Sequence, residues 1–150
     1  MNKTQVKVYF SLYGGDFPID KVTESLGIKP TNSYKKGDVI VRMPNPNIVS
    51  TKVKHRKETT WELGTDYQES NDVKEQLNQI IRPLKNKIAI INQFKTNFQL
   101  ECGFSIVIII ENGDTPSLHL DKEQIEFANS IKAEIDIDLY ANPYNDTFEG

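Results

Sequence analysis

The chain is poor in the residue types that carry most enzyme chemistry. Its single cysteine, Cys102, has no partner for an internal disulfide and sits in strand spacing with Leu100, Phe104 and Ile106, which suits a small core residue. The two histidines, His55 and His119, have no second histidine or cysteine at zinc spacing, so no metal site is expected. Glycines stand in no phosphate-binding order: Gly14-Gly15 and Lys36-Gly37-Asp38 lack the further glycines and the Ser/Thr after lysine that a nucleotide loop needs. Ser11 and Ser25 have no nucleophile-elbow context. The longest apolar run, Ile106 to Ile110, is far too short to cross a bilayer, and no apolar leader precedes the first strand pattern. A cytoplasmic, non-enzymatic protein without a cofactor is the expectation.

Composition is otherwise that of an ordinary globule. Charged residues make up 26% of the 150 and hydrophobic ones 37%, outside the weakly hydrophobic, highly charged regime of disordered chains. Charge is unevenly placed. Residues 29–57 hold eight basic side chains against Asp38 alone, whereas residues 98–150 hold eleven acids against Lys122 and Lys132, so the net charge of −3 conceals two opposed fields. They point to a charged partner unless the fold brings them together to neutralise one another. The acidic balance (sequence pI near 5.4) and the lack of recurrent stacking aromatics argue against nucleic acid.

Periodicity predicts alternating strands and helices. Val6, Val8, Phe10 and Leu12 alternate with Lys7, Tyr9, Ser11 and Tyr13, giving a strand with one buried and one amphipathic face. Ile19, Val22, Thr23 and Leu26 form one stripe of a short helix, which Gly27 stops in the left-handed conformation and Pro30 keeps from restarting. Val39-Ile40-Val41 and the arm 48–55 suit a hairpin around Pro44-Asn45-Pro46-Asn47, and Thr59 to Leu63 suits a strand closed by Gly64.

A helix capped by an Asp72/Glu75 box carries Val73, Leu77, Ile80 and Ile81, ends or bends near Pro83, and hands over to a second helix from Leu84 to Phe94. Residues 99–111 are apolar on both faces, as a central strand covered above and below would be. Asp121 and Gln124 box the next helix, Ile135, Ile137 and Leu139 alternate in a last strand, and 142–150 is a polar tail. The sum is an α+β layered domain over 1–141: one mixed or mostly antiparallel sheet with helices packed mainly on one face.

Two surface groups are candidates for recognition. Lys36, Arg56 and Trp61 would line a cleft for a small anion or nucleotide, although Trp61 by itself reads as a core or groove-lining residue whose indole N–H finds a nearby carbonyl. Glu134, Asp136 and Asp138, about 7 Å apart along one strand face, are close enough to share a divalent ion, but the expected role is charge worn by an edge strand to prevent edge-to-edge pairing; the same three are the candidates for meeting a cationic protein.

The succession Val22-Thr23-Glu24-Ser25-Leu26-Gly27-Ile28-Lys29-Pro30, Lys36-Gly37-Asp38, Trp61-Glu62-Leu63 and Ile135 to Tyr140 resembles a bacterial family of domains of unknown function, DUF 4279, over about Val6 to Tyr140. The resemblance implies a small soluble bacterial domain with no assigned activity, and it carries nothing over for 39–57. Two functions remain open: a protein-binding module, such as an immunity protein that blocks a cationic toxin, or a domain that binds a small anionic ligand or nucleotide.

Overall fold

The computed structural model describes residues 2–41 and 53–143. Their strands are β1 (Gln5–Gly14), β2 (Asn32–Tyr34), β3 (Thr59–Gly64), β4 (Gln68–Glu69), β5 (Glu101–Ile110) and β6 (Glu134–Ala141), and their helices α1 (Ile19–Leu26), α2 (Val73–Leu84), α3 (Ile88–Phe98) and α4 (Lys122–Ser130). All six strands join one sheet in the order β2-β3-β1-β5-β6, with β4 continuing the β3 edge along β1. Every pairing is antiparallel except β5 with β6. This is the expected α+β fold with a mixed sheet.

Alternation along β1 decides which face is covered. Val6, Val8, Phe10 and Leu12 are wholly buried, and their register partners Cys102, Phe104, Ile106 and Ile108 of β5 lie on the same side. Ile19, Val22 and Leu26 of α1, Val73, Leu77 and Leu84 of α2, Ile91 of α3 and Phe127 of α4 close over them. A line of rings runs through this core: Trp61 edge-on to Phe10 at 6.4 Å, Phe10 to Phe104 at 5.4 Å, Phe104 to Phe127 at 6.2 Å. Edge-to-face geometry of this kind adds roughly 0.5–1.5 kcal/mol per pair beyond the area buried.

Helix ends follow their punctuation with two adjustments. Gly27 stops α1 at φ 67°, donating to the carbonyls of Thr23 and Glu24, and Asp121 with Gln124 forms the complete capping box of α4. Asp72 caps α2 by accepting from Lys74 N–H at 3.0 Å, but Glu75 does not complete a box. Pro83 is held inside the last turn of α2, which ends one residue later, so α3 begins at Ile88 instead of Leu84. A proline has no N–H for the carbonyl four residues earlier and its ring crowds that carbonyl, so the helix tolerates it in its final turn and goes no further than Leu84.

Between β3 and β4 the register slips: Tyr9 faces Gly64 but Val6 faces Gln68, the signature of one inserted residue. Gly64 stands at that slip, and a Cβ there would lie 2.7 Å from Cβ of Tyr9. The hairpin expected over 39–57 is described only at its base, where Val39 bridges His55, Ile40 N–H donates to Lys54 O and Arg56 N–H to Asp38 O; its tip, and the tail from 144 onward, fall outside the described residues.

Candidate functional site

The sheet face opposite the helices is where polar and aromatic side chains gather. Tyr9, Ser11 and Tyr13 of β1 stand on it. Across their register partners it is extended by Thr60 and Glu62 of β3, Tyr34 of β2, Ser105 of β5 and Glu134 and Asp136 of β6. The base of the 39–55 hairpin rises at its side, and sheet and arm enclose a concave cleft of ≈720 Å³. Gly103 forms part of its floor, with Glu134 O only 3.1 Å from where a Cβ would sit.

Long apolar runs do not require cover on both faces. Val107 of β5 lies on this open side and is still buried, between its register neighbours Lys7 and Asp138. Lys7 next to it reaches across the rings of Tyr9 and Tyr67, with its ammonium 5.8 and 5.5 Å from their centroids, so long polar and aromatic side chains stand on this face where a second helical layer would otherwise lie. The reading of 99–111 as a strand covered above and below is corrected to this extent.

Charge is unevenly spread over the cleft. Lys54, Arg56 and Lys57 line the arm side with Glu58 and Glu62 next to them, and Glu134 and Asp136 line the β6 side with no cation beside them among the lining residues. The turn Lys35 to Asp38 fixes the arm: Asp38 accepts from Lys35 N–H at 2.8 Å, Gly37 takes φ 94° and donates to Arg56 O, and His55 Nδ1 lies 3.0 Å from Gly37 O. The guanidinium of Arg56 stacks on the Tyr34 ring at 3.9 Å, which holds it over the sheet. Among the described residues the one ion pair is Lys74–Asp121 at 3.0 Å, on the helical side; none joins the two walls of the cleft. On its floor, burial and then the nearby Glu134, Glu101 and Glu58 push the Tyr13 phenol above its ordinary 10.0, so it stays a neutral hydrogen-bond donor.

The sequence candidates separate. Arg56, Glu134 and Asp136 meet at the cleft, and Asp138 continues the acidic row on the same face of β6. Lys36 is exposed in the turn that fixes the arm, its backbone N–H donating to Thr59 Oγ1 at 3.0 Å, and its side chain does not line the cleft. Trp61 is not at the cleft either. It is fully buried on the helical face, where its indole N–H donates to Thr23 Oγ1 at 3.1 Å, so it cannot join Arg56 around a ligand. The tyrosines that do line the cleft were visible only as the amphipathic half of β1's alternation, and Tyr34 lies in a three-residue strand with no pattern of its own.

The motif residues themselves build the scaffold. Thr23 of α1 and Trp61 of β3 are joined by the hydrogen bond just described, Gly27 ends α1, Lys36-Gly37-Asp38 turns the arm, and Glu62 accepts from Asn32 Nδ2 at 3.3 Å to bind β2 to β3. Such an arrangement supplies hydroxyl donors, cations and carboxylates at fixed places on a rigid sheet, which suits recognition. The chain belongs to the DUF4279 family, a domain of unknown function whose sequence model matches residues 4–142. Neither the curated proteins nor the solved structures compared with it include a significant match.

Proposed function

We propose that this member of the family is a non-enzymatic protein-binding module, fitted to the role of an immunity-type inhibitor that holds a cationic bacterial toxin. One observation carries the reading. Glu134, Asp136 and Asp138 stand in a row on the sheet face that no described helix covers, all exposed and none paired with a cation among the described residues. Carboxylates left unpaired at a surface cost the free chain little, because water solvates them, and they steer a basic partner into place. Tyrosines and serines beside them provide rigid contact area and adaptable hydrogen bonds, the mixture that recognition surfaces favour.

The test is co-expression with the toxins of the source strain, together with affinity capture using the chain and its Glu134→Lys/Asp136→Lys/Asp138→Lys variant. Rescue of growth and a complex that the reversed variant loses, and that associates more slowly as salt rises, are expected. Neither rescue nor a variant-sensitive complex would remove the reading.

A second reading rests on the other wall. Arg56, pinned on Tyr34, and Lys54 and Lys57 line a cleft whose ≈720 Å³ lies within the roughly 300–1,000 Å³ of small-molecule sites. An anionic metabolite or nucleotide held there raises the melting temperature in a ligand panel, and Arg56→Ala abolishes the rise. A flat panel rejects it.

A further inference from the structure

Resting on the protein-binding reading above, we propose that β6 takes its partner as an added strand: an extended segment in which Lys or Arg alternates with apolar residues, hydrogen-bonded along the free edge of the sheet. β6 is the last strand in the sheet order and pairs only with β5, from Gly103↔Glu134 to Ile110↔Ala141, with no slip of register. Asn142 N–H donates to Ile110 O at 2.9 Å, which fixes the phase of the ladder. In a parallel pair alternate residues aim both backbone groups at the neighbour. Even-numbered residues of β6 therefore face β5, and the N–H and C=O of Ile135, Ile137 and Leu139 point outward, with no partner strand among the described residues.

Sheet margins are normally blunted by shortness, proline, lysine or a bulge. β6 has no proline, lysine or bulge over its eight residues, Glu-Ile-Asp-Ile-Asp-Leu-Tyr-Ala; its one guard is the acidic row on its open side, which repels an acidic or identical strand and admits a basic one. Its two sides also differ. Toward the helical side Ile137 and Leu139 are 41% and 58% exposed, unusual for a strand whose earlier residue Ile135 packs against the core. Toward the open side stand Glu134, Asp136 and Asp138.

The charges choose the occupant. A symmetric pairing of β6 with a second copy would be antiparallel and would set one acidic row against the other at roughly 5 Å, where like charges destabilise. A basic amphipathic strand reverses both terms: its Lys or Arg lie opposite Asp136 and Asp138 on the open side, and its apolar residues cover Ile137 and Leu139 on the other. Backbone pairing supplies the affinity of such strand addition, and alternate side chains supply the selectivity.

The experiment uses the full chain and four labelled heptapeptides: alternating Lys-Val, alternating Glu-Val, and the Lys-Val peptide N-methylated at alternate residues on one edge and, separately, on the other. Fluorescence anisotropy gives affinity, and amide hydrogen exchange gives the site. The Lys-Val peptide is expected to bind and the Glu-Val peptide not. One of the two N-methylated forms loses at least an order of magnitude in affinity while the other retains it, since a strand pairs through one edge only. Exchange slows at the amides of Ile135, Ile137 and Leu139, and Asp136→Asn/Asp138→Asn, both at exposed positions, weakens binding roughly two- to thirty-fold.

Binding indifferent to N-methylation, with no new protection at those three amides, overturns the strand addition and leaves only charge contact. Sedimentation showing a dimer with the same amides protected in the absence of peptide also overturns it, in favour of a second copy. Absence of any peptide binding overturns it too. The toxin rescue and capture of the preceding section do not depend on peptide binding, so these outcomes leave the broader reading to be judged on its own.

Discussion

Replacing Trp61 by Phe separates a structural motif from a binding one. The indole is fully buried, edge-on to Phe10, and donates to Thr23 Oγ1 at 3.1 Å. Loss of that bond removes roughly 0.5–1.5 kcal/mol. The smaller ring leaves a void of roughly 40 Å³, which at ~24 cal/mol per Å³ adds about 1 kcal/mol, with the lost transfer energy on top. The expected destabilisation is about 2–3 kcal/mol, or roughly 5–10 °C in Tm for a domain of this size. Urea unfolding followed by far-ultraviolet circular dichroism measures it, because the chain's one tryptophan is the residue removed. Thr23→Val alone and in combination completes the cycle, with an expected coupling of about 0.5–1.5 kcal/mol. Partner and ligand binding stay unchanged. A variant as stable as the parent that nevertheless loses binding would refute the assignment, as would strictly additive single effects.

Three further outcomes follow from the electrostatics and burial. The Gln124 N–H first, and then the Lys74 ammonium, hold the Asp121 carboxyl below its ordinary 3.8; the charged form is favoured on folding, so its stabilisation is present above 3.8 and is lost as pH falls through the lowered value. Urea midpoints of the parent and Asp121→Asn should converge below pH 3.8, and a constant gap would refute this. Tyr13 titrates above 10.0, chiefly from burial and then from Glu134; folding favours the neutral phenol, so this stabilisation is present below 10.0 and disappears as pH rises through the raised value. Glu134→Gln should bring the Tyr13 midpoint, read by ring-carbon NMR, part of the way back to 10.0, and no movement would place Glu134 elsewhere. Cys102 is 1% exposed, its thiol pushed up by burial against the opposing pull of Lys95, so an aromatic disulfide reagent should label it only as fast as the chain opens; labelling at the rate of a free thiol would contradict its place in the core.

Elements with strong periodicity were legible in the sequence, and those fixed by pairing alone were not. The alternation of Val6 to Leu12, the stripe ended by Gly27 and the Asp121/Gln124 box each follow from local chemistry and recur in the fold. β2 carries Asn32, Ser33 and Tyr34, polar residues with no strand signal, and it is a strand because the edge of β3 offers it a ladder. The Asp72/Glu75 pair had the spacing of a box, yet Asp72 bonds the nearer amide. Trp61 stood open between core and groove lining for a related reason. A tryptophan near a basic run reads as groove lining, but register places it beside Leu12 on the covered face, and a shift of one residue would have turned it to the cleft. Arg56, Glu134 and Asp136 come from the two oppositely charged stretches of sequence, and only the strand order reveals that they border one cavity.

That shared border bears on whether the opposed fields cancel. β2, on whose Tyr34 the Arg56 guanidinium rests, and β6, which carries the acids, stand four strand spacings apart, roughly 19 Å at ~4.8 Å each. Two unit charges at that distance in water attract by only about 0.2 kcal/mol, and physiological salt, with a screening length of ~8 Å, removes most of that. The strands that carry the two groups thus border one cleft without lying side by side. Neutralisation by proximity would have needed ion pairs across the cleft, and among the described residues there are none. The acids of β6 are thus not neutralised by the arm, whose own cations stand beside Glu58 and Glu62. On the protein-binding reading proposed above, a partner that carries a basic segment to β6 would meet favourable charge there and a uniformly acidic one would not, so the order of charges along the occupant would count as well as their number.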